Sequence, residues 1–457
     1  MKLKVPAILE PEFQPLSVFY REFAEKVADC GKDIVIAVER AADQISAYKM
    51  KIFPDNCGHD DENFYAVERI VKTLLWIRGG YKVTIAGSDY LADRIKDAYR
   101  KGGKMEFDAL FMQRVYEKPF EVVACSLENA PATNETSDSV GKHLDGCRIG
   151  FDAGGSDRKV SAVVDGKDVY SEEVVWFPKT NSDPNYHYEG IVSAFKAAAA
   201  HMPRVDAIGI SSAGIYVNNR IMVASLFLKV SDEDFEKSVK NMYINAAKEI
   251  GDVPVIVAND GDVTALAGAM DLNDVNILGC AMGTSQAGGY VDKDCNITGW
   301  LNELAFVPVD ANPNAMLDEW AGDIGCGVKY FSQDGVIKLA PYAGIELDTE
   351  LSPAEKLKVV QKLMAEGDER AAKIYDTIGV QFGYAIAYYA MFYEIKLVLI
   401  MGRVTSGEGG VILLKKTQEV LDTEFPELAK KIQLHIPDEK SRRVGQSIAA
   451  ASLPEIK

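Results

Sequence analysis

The chain has 457 residues, 47% hydrophobic and 26% charged, which is typical of a globular protein with two or three domains. Its formal net charge of -18 argues against nucleic acid or an anionic membrane as a partner, because both require basic surfaces. The seven cysteines form no CxxC pair and predict reduced thiols rather than a disulfide framework. The first 15 residues lack the apolar core of a signal peptide, so we expect a cytoplasmic protein.

The first 126 residues predict an α/β region that has no catalytic signature. Two strands around a turn are expected at 34–53, and a helix, a strand and a second helix follow at 62–103. Apolar-polar alternation on both sides of Gly154–Gly155 predicts a hairpin at 148–169. The order of the first hairpin echoes this later one, which leaves a degenerate internal repeat open. Residues 127–146 are rich in Ser, Thr and Asn and predict a linker or exposed loop.

After residue 146, apolar strands alternate with helices, which predicts sheets that are covered on both faces. The longest apolar stretch, "YAIAYYAMFYEIKLVLIMG", is broken by Glu394 and Lys396. It therefore predicts a buried helix followed by a buried strand rather than a membrane span.

Four apolar strands end in turns rich in small and polar residues. The turns are "FDAGGSDRK" at 151–159, "VANDGD" at 257–262, "AMGTSQAGGYV" at 281–291 and "IMGRVTSGEGG" at 400–410. Ligands of open α/β sheets collect outside the carboxyl ends of strands, so we expect these turns to converge on one cleft. Neither GxxxxGK[ST] nor GxGxxG occurs, which argues against a P-loop and a dinucleotide fold. "GISSAG" and "GTSQAG" are not GxSxG, and no His suits a triad, so a hydrolase is disfavoured.

The residue types at these turns suit phosphoryl transfer from a nucleotide. Backbone N–H groups freed by glycine can cradle phosphates, and Asp152 can hold a hydrated Mg²⁺. Asp260, at a strand end, can take the proton of a hydroxyl that attacks a γ-phosphoryl group. The late turn at Gly402 would let an adenine lie close to the backbone.

In this order, the four turns resemble the motifs of the ROK family of bacterial sugar kinases, within the actin/hexokinase/Hsp70 ATPase superfamily. The resemblance implies a two-lobed, actin-like (ribonuclease H-like) α/β ATPase fold with an extra N-terminal α/β region at 1–126. The first lobe would comprise 147–258 and a C-terminal helix at 440–457, and the second lobe 259–439.

The resemblance also implies a role for individual residues. "DAGGSDRK" is similar to the first phosphate motif, with Ser156 where Thr is usual, and "MGTSQAGGYV" is similar to the second. "IMGRV" resembles the adenosine motif, with Arg403 where a second Gly is common. "ANDGDVTALAGA" resembles the motif in which Asn259 would bind a sugar hydroxyl and Asp260 would be the catalytic base. The implied nucleotide and phosphate contacts are Asp152, Gly154, Gly155, Ser156, Lys159, Gly283, Thr284, Ser285, Gly288, Gly289 and Gly402.

One family motif is altered in this chain. ROK kinases carry a Glu with a Gly-His pair shortly after it, followed by a cysteine-rich zinc motif. Glu303 is retained as an implied sugar contact, whereas Phe306 stands where the His would be. No Cys follows before Cys326, so we expect no structural zinc. The later sugar-binding Glu corresponds to Glu319, with Asp318 as the alternative.

The implied activity is ATP-dependent transfer of the γ-phosphoryl group to a hydroxyl of a hexose or hexose derivative, with Mg²⁺ held by Asp152 through water. The expected partners are a sugar and ATP, and a homodimer is left open. The alternative is a nucleotide or sugar sensor that binds without turnover and uses 1–126 as its output surface. The altered His motif favours the sensor, whereas Asp152, Asp260 and the two glycine hairpins favour the kinase.

Overall fold

The structure is a computed structural model that describes residues 2–41, 44–135, 140–437 and 439–456, and the side chains of 439–444 are excluded. Part of the predicted linker, 136–139, therefore lies outside the described residues. The strands are β1 (Lys32–Ala41), β2 (Gln44–Ile52), β3 (Lys82–Ala86), β4 (Glu121–Cys125), β5 (Asn134–Glu135), β6 (Cys147–Ala153), β7 (Asp157–Val164), β8 (Lys167–Val175), β9 (Ala207–Ser212), β10 (Ile215–Val217), β11 (Arg220–Val223), β12 (Val255–Asn259), β13 (Ile277–Met282), β14 (Gln286–Val291), β15 (Leu317–Asp318), β16 (Asp323–Ile324), β17 (Leu397–Met401) and β18 (Gln433–His435).

The helices alternate with these strands along most of the chain. They are α1 (Leu16–Val27), α2 (Asp60–Ile77), α3 (Asp89–Tyr99), α4 (Glu106–Tyr116), α5 (Pro184–Ala199), α6 (Asp232–Asp234), α7 (Met242–Lys248), α8 (Asp260–Leu272), α9 (Gln333–Leu339), α10 (Pro353–Ala365), α11 (Glu369–Tyr389), α12 (Glu408–Glu424), α13 (Pro426–Ala429) and α14 (Glu439–Ala451). Within the described part of the chain, none of them has the length and apolar character needed to cross a bilayer.

The chain folds into two compact units. Unit 1 contains Met1–Thr136, Cys280–Gly288 and Trp300–Ile436. Its first sheet has the order β4-β3-β1-β2-β5, with β1 antiparallel to both β2 and β3. A second sheet has the order β14-β13-β17-β18, in which β17 is parallel to β18, and unit 1 contains β17, β18, residues 280–282 of β13 and residues 286–288 of β14.

The N-terminal region shares its core with residues 300–436 of unit 1. Tyr20 of α1 stacks on Tyr388 of α11 at a ring-centroid distance of 5.7 Å, and Arg69 of α2 forms a buried ion pair with Asp323 at 2.8 Å. The units therefore divide the chain differently from the predicted ranges, which treat 1–126 as a separate region. The physical reason is that α1 and α2 bury side chains against partners some 250 to 370 positions later in the chain.

Unit 2 contains Ser137–Gly279, Gly289–Gly299 and Pro437–Lys457. Its sheet has the order β12-β9-β6-β7-β8: β6 pairs antiparallel with β7 and parallel with β9, which is parallel to β12. Helix α14 packs on one face, where Gly150 and Gly209 leave room for it. A Cβ at Gly209 would lie 1.6 Å from the carbonyl oxygen of Ala450, so no larger residue fits there. The parallel strands β6, β9 and β12 end at one edge of this sheet.

Candidate functional site

The first predicted phosphate motif is the turn between β6 and β7 in unit 2. Asp152 is the sixth residue of β6 and faces Lys159 of β7 across the ladder. The turn itself is formed by Gly154, Gly155 and Ser156. The carbonyl oxygen of Gly154 accepts a hydrogen bond from the Nε1 of Trp176 at 2.7 Å, which fixes the turn. The hairpin predicted from the apolar-polar alternation is confirmed.

Asp152 is a buried carboxylate near the end of β6. Its side chain is 8% exposed, and its Oδ1 accepts a hydrogen bond from Ser211 Oγ at 2.8 Å. Burial raises the pKa of Asp152 to about 6; the Ser211 hydrogen bond and the charge of Lys159 lower it, whereas repulsion by Asp260 raises it further. The charge of Asp260 thus acts on Asp152 at the edge of the sheet.

Asp260 is the first residue of α8 and directly follows β12. Asn259 caps this helix: its Oδ1 accepts from the Gly261 amide at 2.7 Å, and its Nδ2 donates to the Gly214 carbonyl at 2.7 Å. Burial raises the pKa of Asp260, and this effect is opposed by the Gly261 amide and by the charge of Lys179. A carboxylate with a raised pKa is a stronger base than an ordinary carboxylate, which suits general-base catalysis.

Lys179 belongs with these residues, although the motifs did not identify it. A Cβ added to Gly155 would lie 3.1 Å from Lys179 Nζ, so the ammonium group is next to the glycine turn. The same charge lowers the pKa of Asp260. The pairing of β7 with β8 could have located this lysine, because Asp157 pairs with Val175 and the residues that follow β8 therefore return to the glycine turn. Lys179 thus contributes a positive charge that lies next to the glycine turn and acts on the predicted base.

We expect Asp152→Asn to stabilise unit 2 at pH 8 by roughly 1–3 kcal/mol, because the folded protein binds this proton more tightly than the unfolded chain. The ionised carboxylate destabilises the fold above pH 6, and this penalty disappears as the pH falls toward 3.8, the ordinary pKa. Hydrogen exchange of β6 and β9 peptides in increasing denaturant, at pH 8 and pH 4, measures the effect. Equal or lower stability of the variant at pH 8 would contradict it.

The second phosphate motif as far as Gly288 and the adenosine motif lie in unit 1. The Gly283 amide donates to the Ser285 carbonyl at 2.9 Å and closes a tight turn that leaves Thr284 and Ser285 exposed. Gly402 follows β17 with a φ of 99°, and a Cβ there would lie 2.2 Å from the Met282 carbonyl oxygen. The ends of β13 and β17 can touch only because residue 402 is glycine.

Close packing accounts for the other two glycines of the second motif. In unit 1, a Cβ at Gly288 would lie 2.4 Å from the Asn302 carbonyl oxygen. In unit 2, a Cβ at Gly289 would lie 2.1 Å from the Gly261 carbonyl oxygen, at the first turn of α8. The phosphate contacts assigned to these glycines stay predictions.

The predicted sugar contacts of unit 1 lie in two separate loops. Glu303 is partly buried and precedes a short 3₁₀ turn, Leu304–Phe306. Glu319 is exposed and pairs with Lys329 at 2.7 Å, which lowers the pKa of its carboxyl group. The alternative, Asp318, is 4% exposed and accepts a hydrogen bond from the Ala321 amide at 2.9 Å. Asp318 therefore stabilises its own hairpin, and the sugar contacts stay predictions.

The described residues contain no group of three or more His, Cys, Asp or Glu side chains that could hold a metal ion. Cys326 is buried, and its pKa is raised to about 12, mainly by burial. The absence of a structural zinc stays a prediction.

The family model described as "ROK family" matches residues 148–450. A ROK hexokinase from Thermus thermophilus is 18% identical with a TM-score of 0.51, and the match covers 66% of this chain and 97% of that chain. A ROK family transcriptional regulator, a homologue of the E. coli MLC protein, is 17% identical with a TM-score of 0.50, and the match covers 71% of this chain and 82% of that chain. No curated protein matches. The predicted actin-like ATPase fold with an extra N-terminal α/β region is confirmed.

Proposed function

The chain belongs to the ROK family, and on that premise we propose that it is an ATP-dependent sugar kinase acting on a hydroxyl of a hexose or hexose derivative. The observation that carries the proposal is the arrangement of Asp152, Asp260 and Lys179 around the glycine turn of unit 2. A protein that only binds ligands has little use for a carboxylate whose pKa is raised at the start of a helix. Phosphoryl transfer to an alcohol needs such a base.

Each residue has a distinct part in the proposed reaction. Asp260 accepts the proton of the sugar hydroxyl as this oxygen attacks the γ-phosphoryl group. The amides of Gly154 and Gly155, together with the Lys179 ammonium, hold phosphate oxygens and oppose the negative charge that they carry. Asn259 keeps the first turn of α8 in place and thereby orients Asp260.

The donor set of unit 2 fits a magnesium ion bound with ATP. Asp152 is a buried oxygen donor whose pKa is raised mainly by burial. Mg²⁺ is commonly held by one or two carboxylates and keeps several waters, so Asp152 would hold it through water. When bound, the ion neutralises charge on the phosphates.

The test is ADP release from the purified protein with Mg-ATP in the presence of hexoses, amino sugars and acyl-amino sugars. We expect one class of sugar to raise the rate of ADP release well above the rate without sugar. A rate that no sugar raises would contradict the proposal. Tight nucleotide or sugar binding in the same preparation would then favour the second candidate.

The second candidate is a sensor that binds the same ligands without turnover. One observation favours it: Phe306 stands where the ROK kinases have a His, and its ring packs on Trp76 at a centroid distance of 4.3 Å. A phenyl ring offers no hydrogen bond to a sugar hydroxyl. Retention of Asp260 with a raised pKa favours the kinase over this alternative.

Lys179→Met should lower kcat/KM on the order of 100-fold, because a cation aimed at the transferred phosphoryl group is lost. It should also move the acid limb of the pH profile upward, because the charge of Lys179 lowers the pKa of Asp260 and the base must be ionised. ADP release measured from pH 5 to pH 9 gives both effects. The matched control is Lys196→Met, an exposed lysine on α5. An unchanged acid limb in Lys179→Met would contradict this role.

A further inference from the structure

The C-terminal end of α2, in the N-terminal region, is hydrogen-bonded to the loop that carries Glu303. The last carbonyl groups of a helix have no partner within the helix. Here the Trp76 carbonyl accepts from the Glu303 amide at 3.0 Å, and the Ile77 carbonyl accepts from the Asn302 amide at 3.0 Å. The backbone of Glu303 is thus fixed by a segment outside the region that the ROK family model matches.

Side chains at the same end of α2 enclose the loop. Trp76 is fully buried, packs against Phe306, and donates from its Nε1 to Asp108 at 2.8 Å. The Arg78 guanidinium lies 3.3 Å from the centroid of the Trp300 ring, a close cation–π contact. Both the start and the end of the segment 300–306 therefore contact α2 or the residue that follows it.

Helix α2 is in turn held by charges from the hairpin that follows this loop. Asp323 pairs with Arg69 at 2.8 Å and with Lys72 at 3.4 Å, and all three side chains are almost completely buried. Burial alone would raise the pKa of Asp323, but Arg69 and Lys72 hold it at about 2. Since the pair is charged and buried, α2 cannot shift without separating it.

We propose that α2 is a built-in support of the sugar-binding loop, with Trp76 as the positioning residue for Glu303. This inference rests on the proposed function for its substrate and on the contacts within unit 1 for its geometry. Phe306, at the position of the family His, packs on Trp76 of the N-terminal region. The contact with α2 therefore explains why an aromatic residue replaces the His in this chain. The N-terminal region thereby acts as part of the substrate site.

The test compares Trp76→Ala and Trp76→Phe with the wild-type full chain. Leu91→Ala is the matched control, because Leu91 is equally buried in α3 of the same region. Hydrogen exchange of a peptide containing Asn302 and Glu303 reports on the loop, and calorimetry with the hexose panel and with ADP reports on binding. We expect Trp76→Ala to speed exchange at least about tenfold. We also expect it to weaken sugar binding roughly tenfold to 100-fold, with ADP affinity within about twofold.

Trp76→Phe should bring the exchange rate and the sugar affinity most of the way back to their wild-type values, since its ring restores the contact with Phe306. Leu91→Ala should leave both quantities near the wild-type values. Unchanged exchange in Trp76→Ala would overturn the inference whatever the sugar data show. Faster exchange with unchanged sugar affinity would overturn it as well. If the wild type binds no sugar of the panel, the proposed function fails, and the exchange data alone decide whether α2 holds the loop.

Discussion

Asp260→Asn should lower sugar-dependent ADP release by roughly 100-fold to 10,000-fold, the usual contribution of a general base. The amide cannot accept the hydroxyl proton, yet it has nearly the same shape at the first position of α8. The fold and nucleotide affinity should therefore change little. Burial raises the pKa of Asp260, and the base must be ionised to act. As the pH is lowered, wild-type activity should therefore begin to fall at a higher pH than it would with an ordinary carboxylate as the base.

The control for this variant is Asp271→Asn, which removes one exposed carboxylate from the other end of the same helix. Its turnover should match the wild type, so that loss of charge alone is separated from loss of the base. A turnover of Asp260→Asn within about threefold of the wild type would exclude Asp260 as the base.

Lys72→Met should destabilise unit 1 by about 3–5 kcal/mol, because it leaves the buried carboxylate of Asp108 without the Lys72 cation. Lys72 is fully buried and pairs with Asp108 at 2.8 Å and with Asp323 at 3.4 Å. Desolvation opposes its charge, but Asp108 and Asp323 nevertheless raise its pKa, so the lysine is charged in the fold. The double variant Lys72→Met/Asp108→Asn should be more stable than Lys72→Met alone, because it also removes the carboxylate charge that Lys72 no longer neutralises.

Tryptophan fluorescence in increasing urea measures this effect. Of the four tryptophans, only Trp176 lies in unit 2, so a Trp176→Phe background makes the signal report on unit 1. The control is Lys430→Met, which breaks an exposed pair with Glu427 and should cost less than about 1 kcal/mol. If the two variants lose equal stability, the buried ion pairs do not hold the N-terminal region to residues 300–436.

Local patterns of the sequence predicted the elements of the candidate site well. The alternation around the Gly154–Gly155 turn predicted the β6–β7 hairpin, and an apolar strand followed by Asn259 and Asp260 predicted a strand that leads into a helix N-terminus. Strand alternation and helix capping both depend on residues that are close together in the chain, so a local sequence pattern is enough to predict them.

Residues whose partners are distant in sequence were not predicted. "AVERIVKTLLWI" gives no sign that Arg69 and Lys72 are buried, since charged residues on a helix usually face solvent. Their burial depends on Asp323, some 250 residues later. Lys179 was missed for a related reason: its place beside Gly155 follows from the register of β7 and β8 and not from a local motif. The sequence likewise offered no reason for Phe306 in the altered Glu303 motif, because its contact with Trp76 joins residues that are far apart in the chain.

The most direct test of the kinase proposal is the mass of the sugar after incubation with Mg-ATP and the wild-type protein. We predict that one sugar of the panel gains a phosphoryl group in an amount equal to the ADP formed. We also predict that Asp260→Asn forms neither product at a comparable rate. ADP without any phosphorylated sugar, or tight nucleotide binding without turnover, would contradict the assignment of this ROK protein as a sugar kinase.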